Sequence, residues 1–495
     1  MHKGLNYMEI KIKFLFVLTI LLTTYLLFGT GIAADAFAWI NYKSAILYPD
    51  VLIASPVEHY THMLPLKLFG AEHIWIIDVL KIININIFIF LIYKYISLFH
   101  SNELSFLLSF IIVMFFLHDG ATFWFIGNYI IFSFAFMGYS YYLIENKKYL
   151  KATIAGFIGS FVSYASPIFS ASISIGFLLK KDFKNFIIFS IAPLFYVIYY
   201  IFITEYIAIG TKRIQLDNLN IFKQYALQIL TYIDAISVAM ILKIYYLIVN
   251  LPVWYYLVSF FIVHGILKII DIKEKINTTL LIIFTAMLLI GLLVLSLTGG
   301  YYQMAFSLSN RIVFITTIVF VYVIFMLSNK TVKWFVLYFM ILSLFATSSH
   351  WKQWFDYQMN ISNSIEANED IKDLDNQVLF VYGKNKSELG NIDHLEFSMF
   401  YNINNINRTI GLNKSLSFDN HVLRSIETNN RIYFEDFIYV YFLESNELKK
   451  IYEKDISDLI KSSPHNYRHW AQTLPNGNII KKLIYKVMPS LYYER

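Results

Sequence analysis

The sequence predicts a polytopic α-helical membrane protein of about eleven transmembrane helices, followed by a small extracytoplasmic α/β domain. Three observations carry this. The 495 residues are 57% hydrophobic and only 15% charged, against about a quarter charged in a soluble domain. Apolar runs of about twenty residues, the length of a bilayer-crossing helix, recur from Phe14 to Ser348. After Ser349 the composition changes: more than half of the acidic residues lie there, and no run is apolar enough to cross.

The lysines set the orientation. Lys3, Lys11 and Lys13 precede the first run. Later clusters are Lys147, Lys148 and Lys151; Lys180, Lys181 and Lys184; Lys268, Lys273 and Lys275; and Lys330 with Lys333. Placing all of these in the cytoplasm satisfies the positive-inside rule. The expected spans are then 14–33, 74–98, 104–117, 128–144, 151–166, 168–179, 186–206, 253–270, 278–298, 312–327 and 334–347, with the N terminus inside and the C terminus outside. Residues 225–250 contain Asp234 and Lys243 and cross twice or not at all; they are expected as interfacial helices on the outer face. The small-x-small stretch Gly31-Ile32-Ala33 resembles a signal-peptide cleavage site, but the run before it has the length of a span. The membrane domain is expected over 1–348, with a first outer loop at 34–73, and the outer domain over 349–495. Within that domain 378–382 and 431–442 pattern as strands, and 395–403 and 448–460 as helices.

Several function classes drop out. The net charge of +6 comes from lysines at helix ends, so it is a topology signal and not a nucleic-acid footprint. There is no cysteine, which excludes disulfides and thiolate metal sites. The abundance of Ile, Asn, Lys, Phe and Tyr points to an AT-rich bacterial genome, and hence to a bacterial cytoplasmic membrane.

The chemistry-bearing residues are few and gather on the outer side. Asp35, at the end of the first span, is flanked by Ala33, Ala34, Ala36 and Phe37. Partial desolvation there raises a carboxyl pKa toward that of a general base; a solvated helix cap is the plainer alternative. The same loop carries Asp50, Glu58, His59, His62, Lys67 and Glu72. His59 and His62, three apart beside Glu58, have two-ligand metal spacing, but no further ligand stands at strong spacing. Substrate contact or interface packing is the expectation. Asp78 and Lys81 lie one turn apart in the second span, either as a structural ion pair or with Lys81 facing an anion. His118 and Asp119 close the third span and are expected at the substrate site, where either would meet Asp35 across a cavity; an interfacial turn with Trp124 as its anchor is the plainer alternative. Arg311, after Asn310, and the pair Lys212 and Arg213 are outer cations; arginine suits two-pronged phosphate binding, and snorkelling to lipid is the alternative. The tail has no GxSxG, Gly-rich phosphate loop or HExxH; His465, His469 and Trp470 cluster, and the two histidines read as surface residues.

These pieces resemble the GT-C superfamily of integral-membrane glycosyltransferases, which use polyprenyl-phosphate-linked sugars. Asp35 after the first span, the long first outer loop, and the stretch from His59 through His62 and Pro65 to Leu68-Phe69-Gly70 are similar to the HPPL-x-LFG pattern of the protein O-mannosyltransferase-like branch. His118-Asp119-Gly120 with Trp124 is similar to an H-x-G…W motif of bacterial relatives. The likeness covers residues 14–348. The usual paired acidic residues are here the single Asp35, and the double proline is absent; a second carboxylate falls to Asp50 or Glu58. The resemblance implies inverting sugar transfer at the outer face. Asp35 would activate the acceptor hydroxyl, Lys81 and Arg311 would hold the departing lipid phosphate, and a glycan, lipid or protein would accept the sugar. A divalent metal requirement is left open. The competing classes are a polysaccharide polymerase or ligase, which favours outer-loop arginines, and a lipid or glycan transporter. The second needs polar groups on both sides of the midplane, and no internal repeat is evident.

Overall fold

The computed structural model describes residues 2–33, 36, 54–70, 73–207, 221–270, 274–298, 301–372, 378–383, 386–396, 414–417, 437–442, 444–452, 455, 470–475 and 477–487. Each apolar run folds as a helix. In chain order these are α1 (His2–Leu27), α2 (Ile74–Ile96), α3 (Asn102–Met114), α4 (Tyr129–Glu145), α5 (Tyr149–Phe161), α6 (Ser166–Leu179), α7 (Phe183–Tyr206), α8 (Ile221–Ala235), α9 (Val238–Ile248), α10 (Val253–Ile269), α11 (Thr278–Ser296), α12 (Val313–Leu327) and α13 (Lys330–Ala367). Among the described residues seven helical stretches are long and apolar enough to cross a bilayer. The chain is therefore a multi-pass helical membrane protein.

Small residues set the helix crossings. A side chain on Gly159 would meet the Phe136 Cβ at 3.0 Å, and one on Gly291 would meet the Ile315 Cγ2 at 2.6 Å. With no hydrophobic drive between helices in lipid, such close approach supplies the packing. Sequence-adjacent pairs α1–α2, α2–α3, α4–α5, α6–α7 and α11–α12 pack against each other, and α2–α4, α5–α7, α6–α11 and α10–α13 close the bundle.

The end of α1 is fixed by a buried clamp from α2. Asp78 accepts from the Gly29 amide (2.8 Å) and the Gly31 amide (3.0 Å). Lys81 Nζ donates to Thr30 Oγ1 (2.7 Å), Gly31 O (2.8 Å) and Asp78 Oδ1 (3.1 Å). Gly31 has φ +57°, and a Cβ there would sit 2.2 Å from the Phe355 ring, so only glycine fits. All three hydrogens of the Lys81 ammonium have protein acceptors. The expectation that Lys81 holds a phosphate is corrected to a structural pair that aims the start of the first loop.

Helices α8 and α9 break at residues 236–237. Together they have the length of a span, and three of their polar side chains reach the segment 301–305 that precedes α12. Gln228 Nε2 donates to Tyr301 O (2.6 Å), Tyr302 OH to Gln224 Oε1 (3.2 Å), and Lys243 Nζ to Ala305 O (2.7 Å). Ile221–Ile248 is itself one of the seven stretches long and apolar enough to cross, so the interfacial placement expected for 225–250 is one of two that this stretch allows.

Helix α13 runs on past the expected boundary near Ser348 to Ala367. At about 1.5 Å per residue its 38 residues reach about 57 Å, so it leaves the bundle and carries the C-terminal strands. There β1 (Val378–Tyr382) pairs in parallel with β4 (Lys414–Ser417) and β5 (Phe437–Phe442), and β5 pairs antiparallel with β6 (Glu447–Tyr452). A separate hairpin joins β2 (Lys386–Leu389) to β3 (Ile392–Glu396). Two expectations are corrected here: Leu395 and residues 448–452 lie in strands, not helices. Leu448 and Lys450 face Tyr441 and Tyr439 across the β5–β6 ladder, and that pairing overrides local helix preference.

Candidate functional site

The first loop returns through two short helices, Pro56–Glu58 and Leu64–Phe69, joined by a widened turn, His59–Met63. Pro65 has no N–H to give the carbonyl one turn back, and the turn relaxes to π spacing, with the Leu64 amide bonding His59 O. This points His62 inward, where its ring lies 5.2 Å from Phe125 and 6.0 Å from Phe132. Its Nδ1 is 2.7 Å from Thr61 Oγ1, and its Nε2 bonds Asn128 Oδ1. Glu58 is buried beside it, close enough for its charge to act on Tyr129 and Tyr196.

Burial lowers the His62 pKa to about 4, despite hydrogen bonds that favour the charged form. The unfolded imidazole titrates near 6.5, so its contribution to stability is complete above about pH 6.5 and is lost as pH falls toward 4. The apparent melting temperature of the wild type in detergent should drop across that window, equivalent to up to about 3 kcal/mol. His62→Gln should be flatter there, and parallel curves for the two proteins would contradict the assignment.

Arg311 lies on the short turn Leu308–Ile312 that starts α12. Its guanidinium stacks 4.9 Å from the Trp124 ring centre, Nη1 donates to Leu308 O (3.1 Å), and its side chain bonds Tyr129. Tyr129 OH is 3.0 Å from Tyr164 OH, and Tyr164 and Tyr301 lie within electrostatic range of the cation. Among the described residues, Arg311 Nε and Asn128 Nδ2 are buried donors without a hydrogen-bond partner. Trp124 also donates its indole N–H to Ala33 O (3.0 Å), so one aromatic ring joins the head of the first loop to the arginine. A stacked cation, N–H donors and tyrosine hydroxyls thus gather at one place, the donor chemistry that an oxyanion takes.

The neighbouring carboxylate does different work. Asp119 is fully buried and both its oxygens are occupied. Oδ1 accepts from Lys243 Nζ (2.7 Å) and from Asn310 Nδ2; Oδ2 accepts from Trp351 Nε1 (2.8 Å) and His394 Nε2 (3.0 Å). Asn310 Oδ1 in turn accepts from the Gly120 amide (2.7 Å). Burial lowers the His394 pKa more than the carboxylate raises it, so the neutral ring donates its Nε2–H. Asn310 is tied into this hub and the next residue, Arg311, turns to Trp124 and Tyr129. The hub thus positions the arginine and seats the β2–β3 hairpin on the bundle. Gly390 at the hairpin tip packs against the Tyr246 ring of α9.

The structure therefore brings Glu58, His62 and Arg311 to one region. His59 is buried nearby, its ring 5.1 Å from Tyr60. Asp119 is moved from a substrate-binding role to the hub. His118 turns the other way, Nδ1 at 3.1 Å from Thr317 Oγ1 and its ring against Phe314, and is a packing residue. Asp35 and Asp50 lie outside the described residues, as do Lys212 and Arg213. Among the described residues no group of three metal-ligating side chains converges. Asn128, Tyr129, Tyr164 and His394 escaped the sequence-level expectations; for the hub, Asp119 and Lys243, a cation in an otherwise apolar helix, carried the signal. Beside the bundle, an apolar cavity of about 290 Å³ is lined by α1, α3, α10 and α13, including Leu22, Phe106, Phe110, Trp254 and Ile262. Neither a protein-family model, nor a curated protein, nor a solved structure matches the chain.

Proposed function

We propose that the chain is a membrane glycosyltransferase of GT-C type, moving a sugar from a polyprenyl-phosphate donor to a cell-envelope acceptor at the outer face of a bacterial cytoplasmic membrane. The observation that carries it is the half-buried Arg311, stacked on Trp124 with an orphan Nε, in a chamber joined to the head of the first loop. In this mechanism Asp35, two residues beyond Ala33, takes the proton of the acceptor hydroxyl. The freed oxygen attacks the anomeric carbon with inversion, the bond from that carbon to the phosphate oxygen breaks, and the lipid phosphate leaves with its electron pair. Arg311, with Tyr129 beside it, stabilises the charge that develops on the phosphate. The apolar cavity along α1 has the character needed for a hydrocarbon chain, which supports a lipid-linked substrate. About eleven crossings with an outer C-terminal domain complete the arrangement.

The test is reconstitution of the full chain in nanodiscs with a synthetic polyprenyl-phosphate sugar and envelope extract, followed by mass spectrometry. Sugar on a new acceptor with release of polyprenyl phosphate is the expected result. Intact donor, together with its movement across the bilayer in proteoliposomes, would make the protein a transporter instead.

A further inference from the structure

The sequence 479–487, Ile-Ile-Lys-Lys-Leu-Ile-Tyr-Lys-Val, folds as helix α14 (Ile479–Val487). At about 100° per residue, Ile479, Ile480, Leu483 and Ile484 fall within an arc of about 140°, and Lys481, Lys482 and Lys486 fall outside it. Only one edge of the apolar arc is covered. Ile484 is buried with Trp470 and Ala471, whereas Ile479 is 82% and Leu483 60% exposed, and Ile480 is exposed too. The helix contains no acidic residue.

Its place in the fold is fixed. Trp470, on the turn against which α14 packs, donates Nε1–H to Asp234 Oδ1 (2.9 Å) at the end of α8. Helices α8 and α9 present their own large apolar residues, Phe222 at 90% and Ile241 at 63% exposure, with Ile233 and Tyr245. An uncovered apolar arc edged by lysines, tethered through Trp470 to the end of a helix of the membrane bundle, matches the pattern of a helix lying in a lipid interface. The lysines complement anionic headgroups.

We infer that α14 lies on the bilayer, with Ile479, Ile480 and Leu483 in the headgroup–acyl boundary and Lys482 and Lys486 against anionic lipid, tying the C-terminal domain to the membrane surface. A soluble protein partner is the competing occupant; nothing else in the helix, such as an acidic or hydrogen-bonding residue on the exposed arc, selects one. The inference rests on the membrane class of the chain and is independent of sugar transfer.

The absence of cysteine makes a direct test available. Full-length Leu483→Cys and Lys482→Cys each take a single nitroxide, and the proteins are placed in nanodiscs of phosphatidylglycerol and phosphatidylethanolamine. The label at 483 should be relaxed by oxygen in preference to a water-soluble nickel chelate, at a depth of about 5–10 Å, and the label at 482 should show the reverse. Free access of nickel to both labels would overturn the inference. So would shielding of residue 483 from both reagents, the signature of a protein partner. Adding Lys482→Glu and Lys486→Glu to Leu483→Cys should shift the label toward water; an unchanged depth would remove the role of the lysines. Elution of each labelled protein as the wild-type species confirms that the bundle is intact.

Discussion

Asp119→Ala is expected to cost about 3–5 kcal/mol, because it leaves the Lys243 ammonium buried without its counter-charge. The aspartate also accepts from Asn310, Trp351 and His394, which belong to the start of α12, to α13 and to the β2–β3 hairpin. Its loss therefore frees three elements at once, and buried donors without acceptors add to the penalty. The apparent melting temperature in detergent should fall sharply, and protease should cut the hairpin sooner. Asp119→Asn keeps the shape but not the charge, and should lie between the wild type and the alanine variant. Pairing Asp119→Asn with Lys243→Met removes the unpaired charge and should recover part of the loss. If Asp119→Ala melts with the wild type and resists protease equally, the hub does not hold the domains together.

The hub also explains which parts of the molecule were legible in the sequence. The bundle was, because a twenty-residue apolar run has few alternatives in lipid. Each expected run from 14–33 to 334–347 contains a helix, and the stretch around 225–250, expected to lie at the interface, folds as two helices that together are long and apolar enough to cross. The end of α13 was not legible. Its polar stretch after Ser348 resembles a domain boundary, yet Trp351 is drawn under Asp119 and the helix continues. Leu395 and Leu448 were misassigned because helix-like local patterns are overruled by ladder partners far along the chain.

The site was only partly readable for the same reason. Glu58, His62 and Arg311 announce themselves as rare polar groups beside membrane spans. Lys81 and Asp119 announce themselves equally well, and only their partners separate a structural ion from one facing a chamber. Those partners are the amides of Gly29 and Gly31 on the Asp78 side, and residues as distant as His394 on the other. Asn128 and the tyrosines carry no charge, so nothing in the local sequence distinguishes them from packing residues.

The largest effect on activity is expected at the proposed base and its anion partner, and the two should fail differently. In the proposed mechanism Asp35→Asn removes the proton acceptor and nothing else, so turnover should fall about a hundred- to ten-thousandfold while donor affinity stays near wild type. Arg311→Ala removes the cation that meets the leaving phosphate, and a loss of about a hundred- to a thousandfold is expected, accompanied by weaker donor binding. Arg311→Lys keeps the charge but loses the flat face stacked on Trp124 and the second row of donors, so it should restore little. A lysine there that turns over like wild type would mean that the arginine only neutralises lipid headgroups. Because Arg311 adjoins Asn310 in the hub, each variant should be compared at matched melting temperature; a loss that tracks stability is structural, and a loss in donor binding at unchanged stability belongs to the chamber. Full activity in Asp35→Asn would remove the general base from the mechanism, and with it the reason for an oxyanion chamber at the head of the first loop.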